Sequence, residues 1–424
     1  MMLRVSHSEV SGKIAIPGSK SHTIRSMFFA GLAKGKSIVK DPLISSDSIS
    51  AVNLCKSFGA VYDLEGSTYT VEGLDGRPRV PENIIDVGNS GTSLRIGLMT
   101  AALVQGCSVF TGDYQIRRRQ IGPLVQAINN LGGEAFTTRG NDSAPVVIKG
   151  RAKGGFTKLD AVTSQYLSSI LINAPLMEND THVELTRLNE IPYVEITLWW
   201  LDKFGIKYTN NAMKEFYIPG RQKYGAFECT IPGDFSSATF FMVQAAISGQ
   251  EMVLTNLDMT DPQGDKLALS VLEDMGAKVS YDENSVTIKG NKLKGRTIDM
   301  NSIPDALPAM AVAACFAEGE TRLVNVPQAR LKETDRISVM CGELTKMGAD
   351  IEELPDGLVI RESRLKGCRV NGHDDHRVVM ALAIAGLNCR GDTVIDTAEA
   401  MNVTFPGFVD CIRSCGGHIA LSAE

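Results

Sequence analysis

Six times along the chain the same pattern recurs: an apolar stretch with helical spacing, a glycine, then a short run alternating apolar and polar residues. The six junctions read SFGAVYD, NLGGEAF, KFGIKYT, DMGAKVS, KMGADIEE and SCGGHIA. Their glycines, Gly59, Gly132, Gly205, Gly276, Gly348 and Gly416, are spaced 73, 73, 71, 72 and 68 residues apart. A helix ends well on a residue with positive φ, which glycine adopts without a Cβ clash. The run after each glycine predicts a strand, usually followed by a turn and a second strand, as in AKVSYDENSVTIKG and ADIEELPDGLVIRES. Upstream, each unit carries another helix start rich in Ser, Thr, Asp or Asn: GSKSHTIR, GNSGTSLR, VTSQYLSS, GDFSSATF, IPDALPAM and HDDHRVVM. Short polar side chains at such positions accept hydrogen bonds from the first-turn N–H groups.

The pattern predicts an α/β (α+β) chain of six repeats of roughly 70 residues, mixing strands and helices. At 424 residues the chain exceeds what one compact core serves, so two domains of three repeats each are expected. Two similar breaks, Ile16-Pro17-Gly18 and Ile231-Pro232-Gly233, mark the crossings. They give one domain of residues 1–17 plus 232–424 and another of residues 18–231.

Composition narrows the function. The chain is 43% apolar and 22% charged, with a net charge of −6. That balance argues against nucleic-acid binding through bulk electrostatics. No apolar run reaches bilayer length, so no membrane partner is expected. Nine cysteines without a CxxC pair, behind an MMLRVSHSEV start that has no apolar leader, predict reduced thiols and a cytoplasmic location.

Cations at helix starts are the chemical anomaly, because positive charge there opposes the helix dipole while a bound anion is favoured. Lys20, Arg25, Arg95 and Arg377 stand at such positions. The competing reading is a plain cap or a solvated arginine. Near-misses to the phosphate loop of nucleotide hydrolases at residues 18–21 and 31–37 have the wrong spacing. His373-Asp374-Asp375-His376 reads either as a metal cluster or, with no third ligand evident and Arg377 adjacent, as a polar helix start. LKETDRI at 331–337 and the arginines at 117–119 read equally as solvated charge.

Taken together and in order, GSKSHTIR, GNSGTSLR, TSQYLSS, PGDFSSATF, IPDALPAMAVAA, LKETDRI, DDHRVVMALAIAG and TFPGF resemble the enolpyruvyl transferase family over nearly the whole chain. The resemblance implies two domains, each of three βαβαββ copies in an inside-out α/β barrel, that close around the substrates. It implies transfer of the enolpyruvyl group of phosphoenolpyruvate to the 5-hydroxyl of shikimate 3-phosphate, by addition and elimination through a tetrahedral intermediate. No metal or organic cofactor is implied, and the chain is expected to be a monomer. Glyphosate is implied as a competitor of phosphoenolpyruvate.

Carried over by position, Lys20 touches both substrates. Ser21, Arg25, Thr163, Ser164, Gln165, Asp305 and Lys332 meet shikimate 3-phosphate. Asn89, Gly91, Arg119, Gln165, Arg336 and Arg377 meet phosphoenolpyruvate. Asp305 is the proton acceptor, Glu333 lies near the methylene carbon that gains a proton, and Lys20 and His376 join the catalytic set. Four departures stand out: Gln120 where relatives have proline, Val403 where some have a lysine, Gln328 for an asparagine, and Glu190 for the serine before a Pro-Tyr pair. Two rivals remain. The sister branch acts on UDP-N-acetylglucosamine, but its loop cysteine is missing from GDYQIRRRQIG. The other rival is a binding module of the same fold that has lost turnover.

Overall fold

The computed structural model describes residues 1–423. Its strands form six separate four-stranded sheets among the described residues, and no ladder closes into a barrel of strands. One repeat shows the plan. Strand Ile85–Asp86 runs parallel to Cys107–Thr111, which pairs antiparallel with Val146–Lys149, which in turn pairs antiparallel with Glu134–Thr137. The first helix, Gly91–Ala101, follows the first strand, and the second, Gly122–Asn130, follows the second strand. The same strand order recurs in the other five sheets.

The six spaced glycines end the second helix of each repeat, with φ from 67° at Gly205 to 122° at Gly276. A β-carbon at these angles would strain the backbone, which is why the junction is so regular in sequence.

The two helices of a repeat differ in how they are buried. Phe235–Ser248 is buried from Phe235 to Ala246, and His376–Leu387 along its whole length. A helix apolar on every side has to be enclosed by protein. Gly122–Asn130 buries one face only, through Leu124, Val125, Ala127 and Ile128.

The chain divides into two compact units. One contains Met1–Ser19 and the residues from Pro232 onward; the other is Lys20–Ile231. Each has its own apolar core. Gly18 bridges Gly233 and the Ser19 N–H donates to the Pro232 carbonyl at 2.7 Å, which ties residues 18 and 19 to the unit that resumes at Pro232. The crossings exchange strands: Gly12–Ala15 pairs with Glu251–Thr255, and Glu228–Thr230 pairs with Lys36–Lys40. Met2–Ser6 completes the last sheet, antiparallel to both Thr393–Asp396 and His418–Ser422.

Candidate active site

In the four repeats away from the crossings the two helices follow parallel neighbouring strands of one sheet, so their N-termini emerge at the same sheet edge, the place where ligands bind in open α/β sheets. Side chains 24 to 31 residues apart meet there. The candidate residues fall into two sets, one in each unit.

In the second unit, Lys20 Nζ lies 3.4 Å from Asp47 Oδ2. Arg25 is 2% exposed. Its Nε donates to Thr197 Oγ1 at 2.8 Å, Nη1 to the Ser21 carbonyl at 3.1 Å, and Nη2 to the Tyr193 carbonyl at 2.9 Å and Ser168 Oγ at 3.5 Å. All four acceptors are neutral. Burial therefore lowers the guanidinium pKa to about 10, with Tyr193 opposing the shift.

Gly91 opens the first turn of its helix. A β-carbon there would lie 2.7 Å from Arg119 Nη1 and 3.0 Å from Arg95 Nη1, so both guanidinium groups converge on bare backbone. Arg95 also donates to Gln165 Oε1 and lies over the Tyr166 ring at 5.5 Å. Gln165 Nε2 donates to Thr92 Oγ1 at 3.0 Å. Asn89 Nδ2 is held by Asp113 Oδ2 at 2.5 Å and Gln115 Oε1 at 2.6 Å.

At the third helix start, Thr163 caps Ser164–Asn173. Glu190 Oε2 accepts from Thr163 Oγ1 at 3.0 Å, Ser164 Oγ at 2.9 Å and the Ser164 N–H at 3.2 Å.

In the first unit the site is built on Arg336, only 1% exposed. Nη1 donates to Asp305 Oδ1 at 2.8 Å, Nη2 to Glu333 Oε2 at 2.6 Å, and Nε to Asp375 Oδ2 at 2.8 Å. Burial works against the charge, but Asp375, Glu333 and Asp305 outweigh it and raise the pKa above the ordinary arginine value. Asp305 also faces Lys332 at 3.5 Å and Arg377 at 3.1 Å. It can do so because it lies in the 3-10 turn Pro304–Ala306, ahead of Leu307–Cys315, rather than at that helix's N-cap. Asp375 caps the next helix by accepting from the Arg377 N–H at 2.8 Å, and His376 Nδ1 lies 3.9 Å from it.

The family model described as EPSP synthase (3-phosphoshikimate 1-carboxyvinyltransferase) matches residues 5–412. The chain belongs to the EPSP synthase family. Over 421 residues it is 76% identical to the 3-phosphoshikimate 1-carboxyvinyltransferase of Ruminiclostridium cellulolyticum, covering 99% of this chain and 100% of that protein. It is 68% identical to the protein of the same name from Acetivibrio thermocellus, covering 99% of each. Its fold is similar to that of EPSP synthase from Acinetobacter baumannii, with a TM-score of 0.83, 27% identity and full coverage of both chains.

Within this EPSP synthase fold several ambiguous runs resolve. Arg336 of LKETDRI is buried rather than solvated. Of the three consecutive arginines only Arg119 is buried; Arg117 and Arg118 are exposed, the latter over the Tyr114 ring at 5.4 Å. His373 Nε2 pairs with Glu343 Oε1 at 2.7 Å, while Asp375 accepts from Arg336 and His376 lies beside Asp375. Among the departures, Gln120 acts through its carbonyl, which accepts from the Tyr166 hydroxyl at 2.5 Å. Gln328 is buried and donates to the Asn301 carbonyl at 3.2 Å. Val403 ends the 3-10 segment Ala398–Val403.

Sequence reasoning missed Asp47, Thr197 and the role of Asp375. The signal for Asp47 was available: it lies in the first turn of the second helix of its repeat, 27 residues after Lys20.

Proposed function

We propose that this protein transfers the enolpyruvyl group of phosphoenolpyruvate to the 5-hydroxyl of shikimate 3-phosphate and releases phosphate, acting in the cytoplasm in aromatic amino acid biosynthesis. The observation that carries the mechanism is that two carboxylates, Asp305 and Glu333, are tied to one buried guanidinium at 2.8 Å and 2.6 Å. Addition asks for one group to accept a proton while another donates one.

Asp305 takes the 5-hydroxyl proton as that oxygen bonds to C2 of phosphoenolpyruvate. Glu333, entering the step protonated, delivers that proton to C3, turning the methylene into a methyl group, and takes one back when C3 loses a proton. In the tetrahedral intermediate the C2–O bond to phosphate then breaks, a proton leaves C3, and the double bond re-forms. These steps involve no change of oxidation state, so no redox or organic cofactor is needed. Lys20, Arg119, Arg336 and Arg377 balance the charges of phosphoenolpyruvate and of the departing phosphate. Gly91 lets the ligand approach the backbone, with Asn89 and Gln165 beside it. Ser21, Arg25, Thr163, Ser164 and Lys332 hold shikimate 3-phosphate. His376, beside Asp375, belongs to the same proton-transfer set.

The test is phosphate release by purified protein given phosphoenolpyruvate with shikimate 3-phosphate, and in parallel with UDP-N-acetylglucosamine. Release with the first acceptor alone is expected. Silence with both would overturn the reading.

A further inference from the structure

We propose that Glu190 is a resident anion of the acceptor-phosphate cradle: its carboxylate engages the Thr163 and Ser164 donors as a phosphate would, and so sets how tightly the phosphorylated acceptor binds. The inference rests on the functional reading above and adds a specificity-determining residue to it.

Three donors meet one carboxylate oxygen. Glu190 Oε2 receives Ser164 Oγ, Thr163 Oγ1 and the Ser164 N–H within 2.9 to 3.2 Å. Two hydroxyls and a backbone N–H at the start of a ten-residue helix form an anion-binding arrangement. The helix does not need Glu190 as a cap, because Thr163 Oγ1 already accepts from the Gln165 N–H.

The placement is also held by the backbone. Glu190 is 1% exposed and left-handed, with φ 59° and ψ 43°, a conformation that strains a residue with a β-carbon. Asn189 pins the segment to the end of strand Gly155–Ala161 and the residue after it: its N–H donates to the Ala161 carbonyl at 3.1 Å, and its Nδ2 to the Val162 carbonyl at 3.2 Å.

A second, independent observation points the same way. Arg25 is a buried cation whose four acceptors are neutral, and two of them, the Tyr193 carbonyl and Thr197 Oγ1, lie on the helix that Glu190 leads into. A third, Ser168, lies on the helix whose start Glu190 engages. The buried positive charge and the engaged anion cradle therefore share two helices.

Two anions cannot use the same three donors without repulsion. The acceptor's phosphate has to displace the carboxylate, so Glu190 weakens binding through the phosphate and leaves phosphoenolpyruvate binding untouched. A dianionic phosphate displaces it where a singly charged group does not.

The experiment compares wild type with Glu190→Gln and Glu190→Ser. Calorimetry gives the Kd for shikimate 3-phosphate, and steady-state kinetics separates KM from kcat. Both variants are expected to bind shikimate 3-phosphate about tenfold more tightly, roughly 1.4 kcal/mol. KM should fall for that substrate and stay unchanged for phosphoenolpyruvate. Inorganic phosphate should compete with shikimate 3-phosphate at correspondingly lower concentration. Should the serine variant fold poorly, the near-isosteric glutamine variant carries the test. Unchanged or weaker binding by Glu190→Gln overturns the inference and leaves Glu190 as a structural contact. If wild type binds and turns over while neither variant gains affinity, only this inference falls. If wild type binds no shikimate 3-phosphate, the functional reading falls with it.

Discussion

In the first unit the buried first helices begin at or just after Asp234, Asp305 and Asp375, acids supplied by each helix's own lead-in. In the second unit they begin after Ser19, Ser90 and Thr163. Carboxylates reach two of those neutral starts only from the second helix of the repeat, as Asp47 and Glu190. The cations differ to match. Arg336 is surrounded by three carboxylates, while Arg25 has four neutral acceptors. A buried charge balanced by the protein is part of the fold, and one set among neutral groups is suited to a ligand's charge. Deleting the two arginines should therefore have opposite consequences.

Arg336→Met gives the largest effect. It leaves Asp305, Glu333 and Asp375 facing one another without their shared cation, and breaking such a buried network costs about 3–5 kcal/mol. Denaturant unfolding should show that loss together with loss of turnover. A variant as stable as wild type would mean the three acids are balanced by other groups.

Asp305→Ala keeps Arg336 paired with Glu333 and Asp375 but removes the proposed proton acceptor. Turnover should fall by about 10²- to 10⁴-fold, the usual contribution of a positioned acid or base. Shikimate 3-phosphate binding should remain measurable by calorimetry. Turnover near the native rate would move the base elsewhere.

Arg25→Met is the counterpart to the first variant. Removing a buried cation that no carboxylate balances relieves a desolvation cost, offset by about 1 kcal/mol for each neutral hydrogen bond lost. Stability should shift by about 1 kcal/mol or less, while shikimate 3-phosphate affinity drops by roughly 100-fold, about 3 kcal/mol for a lost charge-assisted contact. A destabilisation as large as that of Arg336→Met would erase the distinction between the units.

The repeat itself was legible because a backbone requirement, positive φ at a helix end, leaves only glycine comfortable, and that mark recurs at Gly59 through Gly416. The expected crossings rest on a similar backbone mark, since Pro17 and Pro232 interrupt regular pairing. Charge pairing was harder to read. Lys20 with Asp47, Thr163 with Glu190 and Asp305 with Arg336 each join the start of the first helix of a repeat to the start of the second. Nothing local marks such a pair, because it depends on how distant strands place both helix starts together, in the last two pairs as parallel neighbours of one sheet. Glu190 shows the limit of motif reading: the substitution was visible as a departure, but the donors its carboxylate would meet were not. His373 shows another, since the acid it pairs with, Glu343, lies 30 residues away on the helix Arg336–Lys346.

Glu343 gives the smallest test, and it concerns the lead-in to Asp375. Its carboxylate accepts from His373 Nε2 at 2.7 Å, from Lys346 Nζ at 2.8 Å and from the Asn371 N–H at 3.0 Å. The Cys368 thiol, its pKa raised by burial and by this carboxylate, also lies near it. His373 and Asp374 both have positive φ, 52° and 54°, so these contacts hold a strained turn just before the Asp375 cap. Burial opposes the charge on Glu343, but the hydrogen bonds from Lys346, His373 and Asn371 outweigh it and hold the pKa below the ordinary value of 4.5. A carboxyl group depressed in the folded state contributes stability that is present above its unfolded value and is lost as pH falls through the folded one. Lys346 is half exposed, which discounts its share, so the contribution is on the order of 1 kcal/mol. Wild type should therefore melt higher than Glu343→Gln at neutral pH, and the gap should narrow as pH drops below about 4.5. A gap that stays constant from pH 7 to pH 3 would show that the turn is held by shape rather than by the ionised carboxylate. The acid lead-in of the first unit would then owe less to charge than its contacts imply.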